Sequence, residues 1–291
     1  MNLETIITHD GVFHADEVFV CATMKIIQPS AAIIRTRDTG AISSGKENQD
    51  TMLIDVGMAY DCSNRLYDHH QSEGAGQRGN SIANSSFGLI WANYGHMLIE
   101  TLHAELGEAQ RNEVFRLVDD GIVSAVDIVD CNGLRVYKNT NAPIFTVSQV
   151  ISGFNSLTGG FFLALDVAVS ILQNEIKSAV NMVLKKSSLL LDMAYQACVP
   201  VLVISDFFPG WKSIVTGSTF QRVVFQDVSG TWRVQIVPET RPLPEAWRGL
   251  NGAELDVKTG LEGGIFCHSA GFIAGHMTFD GALKMAQISI R

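Results

Sequence analysis

The first 56 residues set short β-branched runs on either side of one amphipathic helix, and that order restricts the fold more than anything else in the chain. Glu4 to Thr8 reads as a short buried strand. His14 to Ile27 has helical spacing, with Val18, Cys21, Ala22, Lys25 and Ile26 setting an apolar stripe beside a polar one. Ala31 to Thr36 and Thr51 to Val56 read as two further strands. Strand, helix, strand, strand predicts an α/β layer with parallel pairing. Open sheets of that kind gather ligands at the carboxyl ends of their strands.

The later chain adds helices and then a second lobe. Ser85 to Leu106 predicts a helix, and Ala109 to Val129 one or two more, so helices are expected to cover the sheet. Asn139 to Thr158 is looser. Phe161 to Ala197 is proline-free and apolar-periodic, and predicts one or two helices. Val199 to Ile204, Gln221 to Val228 and Thr231 to Val237 look like strands, with Ser229-Gly230 supplying turn chemistry between the last two. Phe279 to Ile288 predicts a final helix. The expected organisation is a larger domain over residues 1–158, a helical connector over 159–197 and a smaller α+β domain over 198–291.

Bulk properties narrow the classes of function. An apolar fraction of 46% across 291 residues supports real cores. The formal net charge of -9 disfavours a non-specific duplex-DNA binder, which needs a basic face. Cys21, Cys62, Cys131, Cys198 and Cys267 are odd in number, scattered and form no Cys-x-x-Cys pair. A disulfide framework or thiolate zinc site is therefore not expected, and a reducing, intracellular compartment is. The first strand begins almost at once, with no basic leader ahead of it, and the apolar stretches are broken by Asp166, Asn174, Glu175 and Lys177, so no membrane span is expected.

The chemistry-bearing residues sit at the expected strand ends. His9 follows the first strand, with His14 and Asp16 at the start of the next helix. Asp55 closes another strand. Asp68-His69-His70 follows Arg65-Leu66-Tyr67 and precedes a glycine-containing run from Gln71 to Gly76. Asp127 and Asp130 stand near the end of a further run. Singly, each has an ordinary structural explanation, such as a helix N-terminus for Asp16 or a turn for Asp55. At successive strand ends they form a pile of carboxylates that would repel itself at neutral pH. Two divalent cations bridged by one carboxylate would remove that repulsion, and would suit phosphoryl chemistry. His96 and His103 fall beside Ile99 and Leu102 on an ordinary helix and are left out of this set.

In that order, His9, His14, Asp16, Asp55, Asp68-His69-His70 and the Asp127/Asp130 pair resemble the DHH phosphoesterase superfamily. Thr8 to Glu17, Arg241 to Leu250 and Ile265 to Phe272 resemble, more narrowly, the Myg-type (melanocyte-proliferating-gene) exonuclease family. The resemblance runs nearly the whole chain. It implies a DHH-type parallel-sheet domain and a metal-dependent phosphodiesterase, with 3′-to-5′ RNA exonuclease activity in relatives. By motif position, Asp55 would bridge two metals, His9 and His14 would bind one, and Asp16, His69 and Asp127 or Asp130 the other. His70 would touch the scissile phosphate, so the resemblance gives His70, Asp55 and His69 the catalytic roles. Most of the superfamily carries an aspartate where this chain has His14. The extra nitrogen predicts Mn²⁺ as the preferred ion, with Mg²⁺, Zn²⁺ and Fe²⁺ as alternatives. Relatives occur in mitochondria and nuclei, so the expected compartment is one of those in a eukaryote and the cytoplasm in a bacterium.

Substrate contacts are expected elsewhere too. Gly263, Gly264, His268 and Gly271 resemble the glycine-histidine substrate motif of the superfamily's C-terminal domain, with a tight strand-edge turn as the plain alternative. Arg35 and Arg37 are positioned to clamp a phosphate or to be ordinary surface charge. His276 is a weaker candidate, and Trp247 and Arg248 fit either nucleotide stacking or core packing. The expected partner is single-stranded RNA or a short nucleotide, and an oligomer is compatible with the sequence. The rival readings are a small-molecule phosphohydrolase, for a dinucleotide, cyclic dinucleotide or pyrophosphate, and a non-catalytic metal-binding relative.

Overall fold

The computed structural model describes residues 3–79, 81–133 and 144–290. The chain divides into two compact units, Met1–Val180 and Asn181–Arg291. The architecture is the mixed α/β one that the opening pattern predicts.

In the first unit, β1 (Thr5–Thr8), β2 (Ala32–Arg35), β3 (Thr51–Ile54), β4 (Tyr60–Asp61) and β5 (Leu66–Tyr67) form one sheet in the order β2-β1-β3-β5-β4. The first four strands of that order are parallel, and β4 is antiparallel to β5. Ile7 registers with Ile34 on one side and Leu53 on the other, and Ile54 with Tyr67. The chain leaves β1 for β2 and then returns to the far side of β1 for β3. The carboxyl ends of β1 and β3 therefore border the crevice where such sheets bind ligands.

Helix α1 (Ala15–Ile27) is buried from Ala15 to Met24. Such all-round burial belongs to a helix enclosed by other elements. Phe19 stacks on Phe87 of α3 (Ser86–Leu102), ring centroids 5.2 Å apart. Between β2 and β3 the chain forms a helix that the sequence pattern does not predict, α2 (Thr39–Glu47). Two glycines and two serines hide it from propensity. It forms because Asp38 accepts from the Ala41 N–H at 2.7 Å, and because Gly45 lets it lie against the sheet. A β-carbon at Gly45 would come within 2.8 Å of Leu53.

Downstream, α4 (Glu108–Val118) and α5 (Ser124–Asn132) are joined by a π-helical turn over Asp119–Val123. Of the looser region expected over 139–158, residues 139–143 lie outside the described residues. The remainder contains α6 (Val147–Gly153), started by Thr146 and Gln149, whose side chains reach each other's backbone N–H groups. α7 (Gly160–Tyr195) is one 36-residue helix. Among the described residues no helix is long and apolar enough to cross a membrane.

The second unit holds β6 (Val201–Val203), α8 (Trp211–Val215), β7 (Arg222–Gln226), β8 (Trp232–Ile236), α9 (Gly252–Thr259), β9 (Gly264–Cys267), β10 (Ile273–His276) and α10 (Phe279–Ile288). The sheet order is β6-β7-β8-β10-β9. Alternate residues serve opposite faces. Val201, Val224, Val234 and Ala274 pack with Ala282, Met285 and Ala286 of α10, while Leu202, Val223 and Phe225 pack with Trp211 and Val215.

Phe19 is fully buried, so Phe19→Ala is expected to cost about 3–5 kcal/mol. Urea unfolding would read this as a lower midpoint with an unchanged slope.

Candidate functional site

Three neighbouring parallel strands deliver the centre of the site: His9 follows β1, Asp55 follows β3 and Asp68-His69-His70 follows β5. Asp55 has a left-handed backbone, φ 57°. A β-carbon disfavours that conformation, and such strain gathers at functional positions. The two Asp55 oxygens face different partners. Oδ2 lies 3.3 Å from His9 Nε2, and Oδ1 lies 3.3 Å from His69 Nε2 and from His70 Nδ1.

The start of α1 brings the next group. His14 precedes the helix, and its N–H donates to the Glu17 carboxylate at 2.9 Å. Glu17 Oε1 also lies 3.0 Å from His9 Nε2. The other ring nitrogen of His9 lies 3.0 Å from the Asp10 carbonyl, which makes Nδ1 the donor and aims Nε2 at the acids. Asp16 Oδ2 lies 3.7 Å and Asp130 Oδ2 3.2 Å from His69 Nε2. Neither contact is a hydrogen bond, because His69 Nε2 and both oxygens of buried Asp16 have no hydrogen-bond partner.

Ligand-type atoms of His9, His14, Glu17 and Asp55 all lie within 4.8 Å of one another. The same holds for His14, Asp16 and Asp130, for Asp55, His69 and His70, and for His69, Asp130 and Cys131. Charge is correspondingly uneven. Burial and the charges of Asp55, Asp130 and Glu17 push the Asp16 carboxyl well above its usual range. Burial works against a charged His9, but its contacts with Asp55 and Glu17 win and raise it to about 10. Burial would also raise Asp55, yet His69 and His9 hold it low. Contact with Asp68 raises His70, against its partial burial. Asp68 Oδ1 accepts from the His70 N–H at 3.0 Å and lies 2.9 Å from its Nδ1, so Asp68 sets the ring's orientation. Burial and nearby Asp130, Asp127 and Asp55 push the Cys131 thiol up to about 12.

Asp127 does not join the cluster. It is fully buried, and its Oδ1 accepts from Ser85 Oγ at 2.6 Å and the Gly88 N–H at 3.1 Å. Arg78 Nη2 donates to its Oδ2 at 2.7 Å, and Arg78 also pairs with Asp119. Asp130, further along α5, is the member of the pair that reaches His69. Arg35 donates to the carbonyls of His9 and Gly11 and lies over the Phe13 and Phe161 rings, so it braces the β1–α1 loop. Arg37 is exposed, 3.6 Å from Asp10, and lines a cavity with His9, His14, Asp55 and His70. His96 stacks on Phe115 and His103 pairs with Glu105, away from the cluster.

The remaining candidates belong to the second unit. The Gly263 and Gly264 N–H groups donate to the Asp256 carboxylate at 3.2 and 2.7 Å, so an internal anion takes them. Gly264 opens strand β9, and Gly271, at φ 68°, turns the chain between β9 and β10. His268 is exposed, and its Nδ1 accepts from the Ala270 N–H. His276 is buried and its Nδ1 accepts from the Thr278 N–H. Trp247 is buried in the core, and Arg248 donates to the Leu243 carbonyl.

Comparison with known proteins places the chain in a family. The chain matches the MYG1_exonuc family, described as "Uncharacterised protein family (UPF0160)", over residues 5–290. It belongs to that family. It is 30% identical to the "MYG1 exonuclease" of Homo sapiens across 97% of this chain and 85% of that one. It is 29% identical to the Rattus norvegicus protein of the same name, across 97% and 84%. A Schizosaccharomyces pombe "MYG1 protein" is 30% identical across 98% and 97%. No solved structure matches the chain. Within this family member, sequence reasoning misses Glu17 and Cys131. Glu17 is signalled by its place three residues after the helix-capping His14, and Cys131 only by adjacency to Asp130.

Asp127→Ala would leave Ser85 and Gly88 without their acceptor and Arg78 with Asp119 alone, and is expected to cost about 3–5 kcal/mol. Asp130→Ala should instead leave thermal unfolding of the metal-free protein near wild type and weaken divalent-ion binding in calorimetry. The His9 proton stabilises the metal-free fold fully below its unfolded pKa of about 6.5, and that stabilisation is lost as pH rises through about 10. The melting temperature of the metal-free protein should therefore fall across that window in wild type and stay flatter in His9→Gln.

Proposed function

We propose that this chain is a metal-dependent phosphodiester hydrolase that removes nucleotides from the 3′ end of RNA, using two divalent cations. The observation that carries the reading is Asp16, a fully buried carboxyl whose oxygens have no hydrogen-bond partner and which lies among Asp55, Asp130 and Glu17. Polar groups are rarely left so without a function. The donor set fits hard-to-borderline divalent ions, since it mixes carboxylates with imidazoles. His9, His14, Glu17 and Asp55 would hold one cation, and Asp16, His69, Asp130 and Asp55 the other. When bound, the cations supply neutralisation of the acids and Lewis acidity toward water and the phosphoryl oxygens.

The chain's own groups then have distinct roles. Asp55 presents one oxygen to each half of the cluster. The Asp10 carbonyl and the Asp68 carboxylate hold the rings of His9 and His70 in orientation. With Nδ1 of His70 engaged by Asp68 and Asp55, its Nε2 is left to meet a phosphoryl oxygen. Family membership and the exonuclease names of the relatives support a nucleic-acid substrate. The net charge of -9 supports a short one, so a dinucleotide phosphohydrolase is the second reading.

Asp55→Asn and His69→Ala are each expected to lower turnover by about a hundredfold or more, with circular dichroism near wild type. A chelator should abolish activity and Mn²⁺ should restore more of it than Mg²⁺. A 5′-labelled oligoribonucleotide should shorten by single nucleotides from its 3′ end. Turnover of dinucleotides alone would favour the second reading, and full activity in both variants would overturn the metal-dependent reading itself.

A further inference from the structure

Two cavities of the first unit meet at the cluster. Both are lined by His14 and His70, so each borders the place where a phosphodiester would sit in the reading above. Their walls differ. The smaller carries the exposed Arg37, a cation suited to phosphate. The larger, about 930 Å³, is within the range of small-molecule sites. Its wall offers neutral hydrogen-bonding side chains: Gln77 and Asn84 from the segment after the Asp-His-His motif, and Ser148, Gln149 and Ser152 from α6. Ser148 and Ser152 are four residues apart and share one helix face.

Outside the cluster, the acid on that wall is Glu73. It disfavours any phosphate beyond the one at the cluster. Amides and hydroxyls, by contrast, match the edges of a base and the hydroxyls of a ribose. Arg78, in the segment that forms one side of the cavity, is tied to Asp127 of α5, so that side is braced against the helix carrying Asp130.

We propose that the larger cavity is a subsite for a single nucleoside, uncharged base and sugar together. The rest of a substrate would leave past Arg37. This rests on the phosphodiester reading of the cluster and adds to it a polarity: one nucleoside on the α6 side, the anionic remainder on the Arg37 side.

The test uses adenosine, which carries no phosphate and reports on the cavity alone. Its binding to the full-length protein is measured by calorimetry for wild type, Ser152→Leu and Asn84→Leu. In parallel, hydrolysis of a diadenosine dinucleotide and of bis(p-nitrophenyl) phosphate is followed with Mn²⁺. Both variants should bind adenosine about tenfold more weakly and lose about tenfold in kcat/KM on the dinucleotide, mostly through KM. Bis(p-nitrophenyl) phosphate, which has no nucleoside, should be hydrolysed at the wild-type rate. Adenosine that fails to bind wild type, or binds both variants equally well, overturns the subsite, as does a parallel loss on both substrates. A wild type that binds adenosine and hydrolyses neither substrate overturns the hydrolase reading and leaves the nucleoside site standing.

Discussion

Asp16, Glu17, Asp55 and Asp130 converge on one region that is largely closed to water, and like charges at that spacing do not coexist unaided. In the metal-free chain a proton on His9, held by Asp55 and Glu17, offsets part of that charge, and burial with the neighbouring acids pushes the Asp16 carboxyl well up. A cation bound there would require both groups in their deprotonated forms, which would couple metal affinity to pH. An ordinary ion-pair network would hold Asp16 more closely than its 3.7 Å approach to His69 does.

The sheet makes this convergence possible without long loops. β1, β3 and β5 are adjacent and parallel, so the residues immediately following each one emerge side by side. α1 begins six residues after His9 and brings Asp16 and Glu17 in its first turn, where the helix N-terminus favours negative charge. Asp55 completes the arrangement by adopting a left-handed backbone. A regular scaffold and one small distortion act together here. The strands place the residues, and the two oxygens of the Asp55 carboxylate face His9 and His69.

Much of this is legible in the sequence, because strand-end placement depends on hydrophobic patterning that β1, β3 and α1 carry clearly. The final helix over Phe279–Ile288 is equally plain from its period. What the pattern hides depends on contacts between distant residues. α2 is composed of poor helix formers and exists through a cap and a close approach to Leu53. Gly263 and Gly264, at the start of β9, read as a phosphate turn, and only the pairing of β9 with β10 and the Asp256 carboxylate that takes their N–H groups give them a second reading. Arg35 resembles a phosphate clamp because nothing in the local sequence reveals that Phe13 and Phe161 flank it.

Asp127 and Asp130 show most clearly why position alone does not assign a role. They lie less than a full turn apart on α5, and either suits a metal by type. Their surroundings separate them. Asp127 meets a guanidinium, a hydroxyl and a backbone N–H that satisfy it completely, and in return it fixes the Arg78 segment and the start of α3. Asp130 lies 3.2 Å from His69 Nε2 among other acids, and burial with the charge of Asp55 pushes its carboxyl up. A carboxylate whose needs are met by the fold contributes to stability, and one whose needs are unmet is available for chemistry. By that criterion Asp127 serves the fold, bracing Arg78 and the start of α3, and Asp130 would serve the chemistry in the metal-dependent reading.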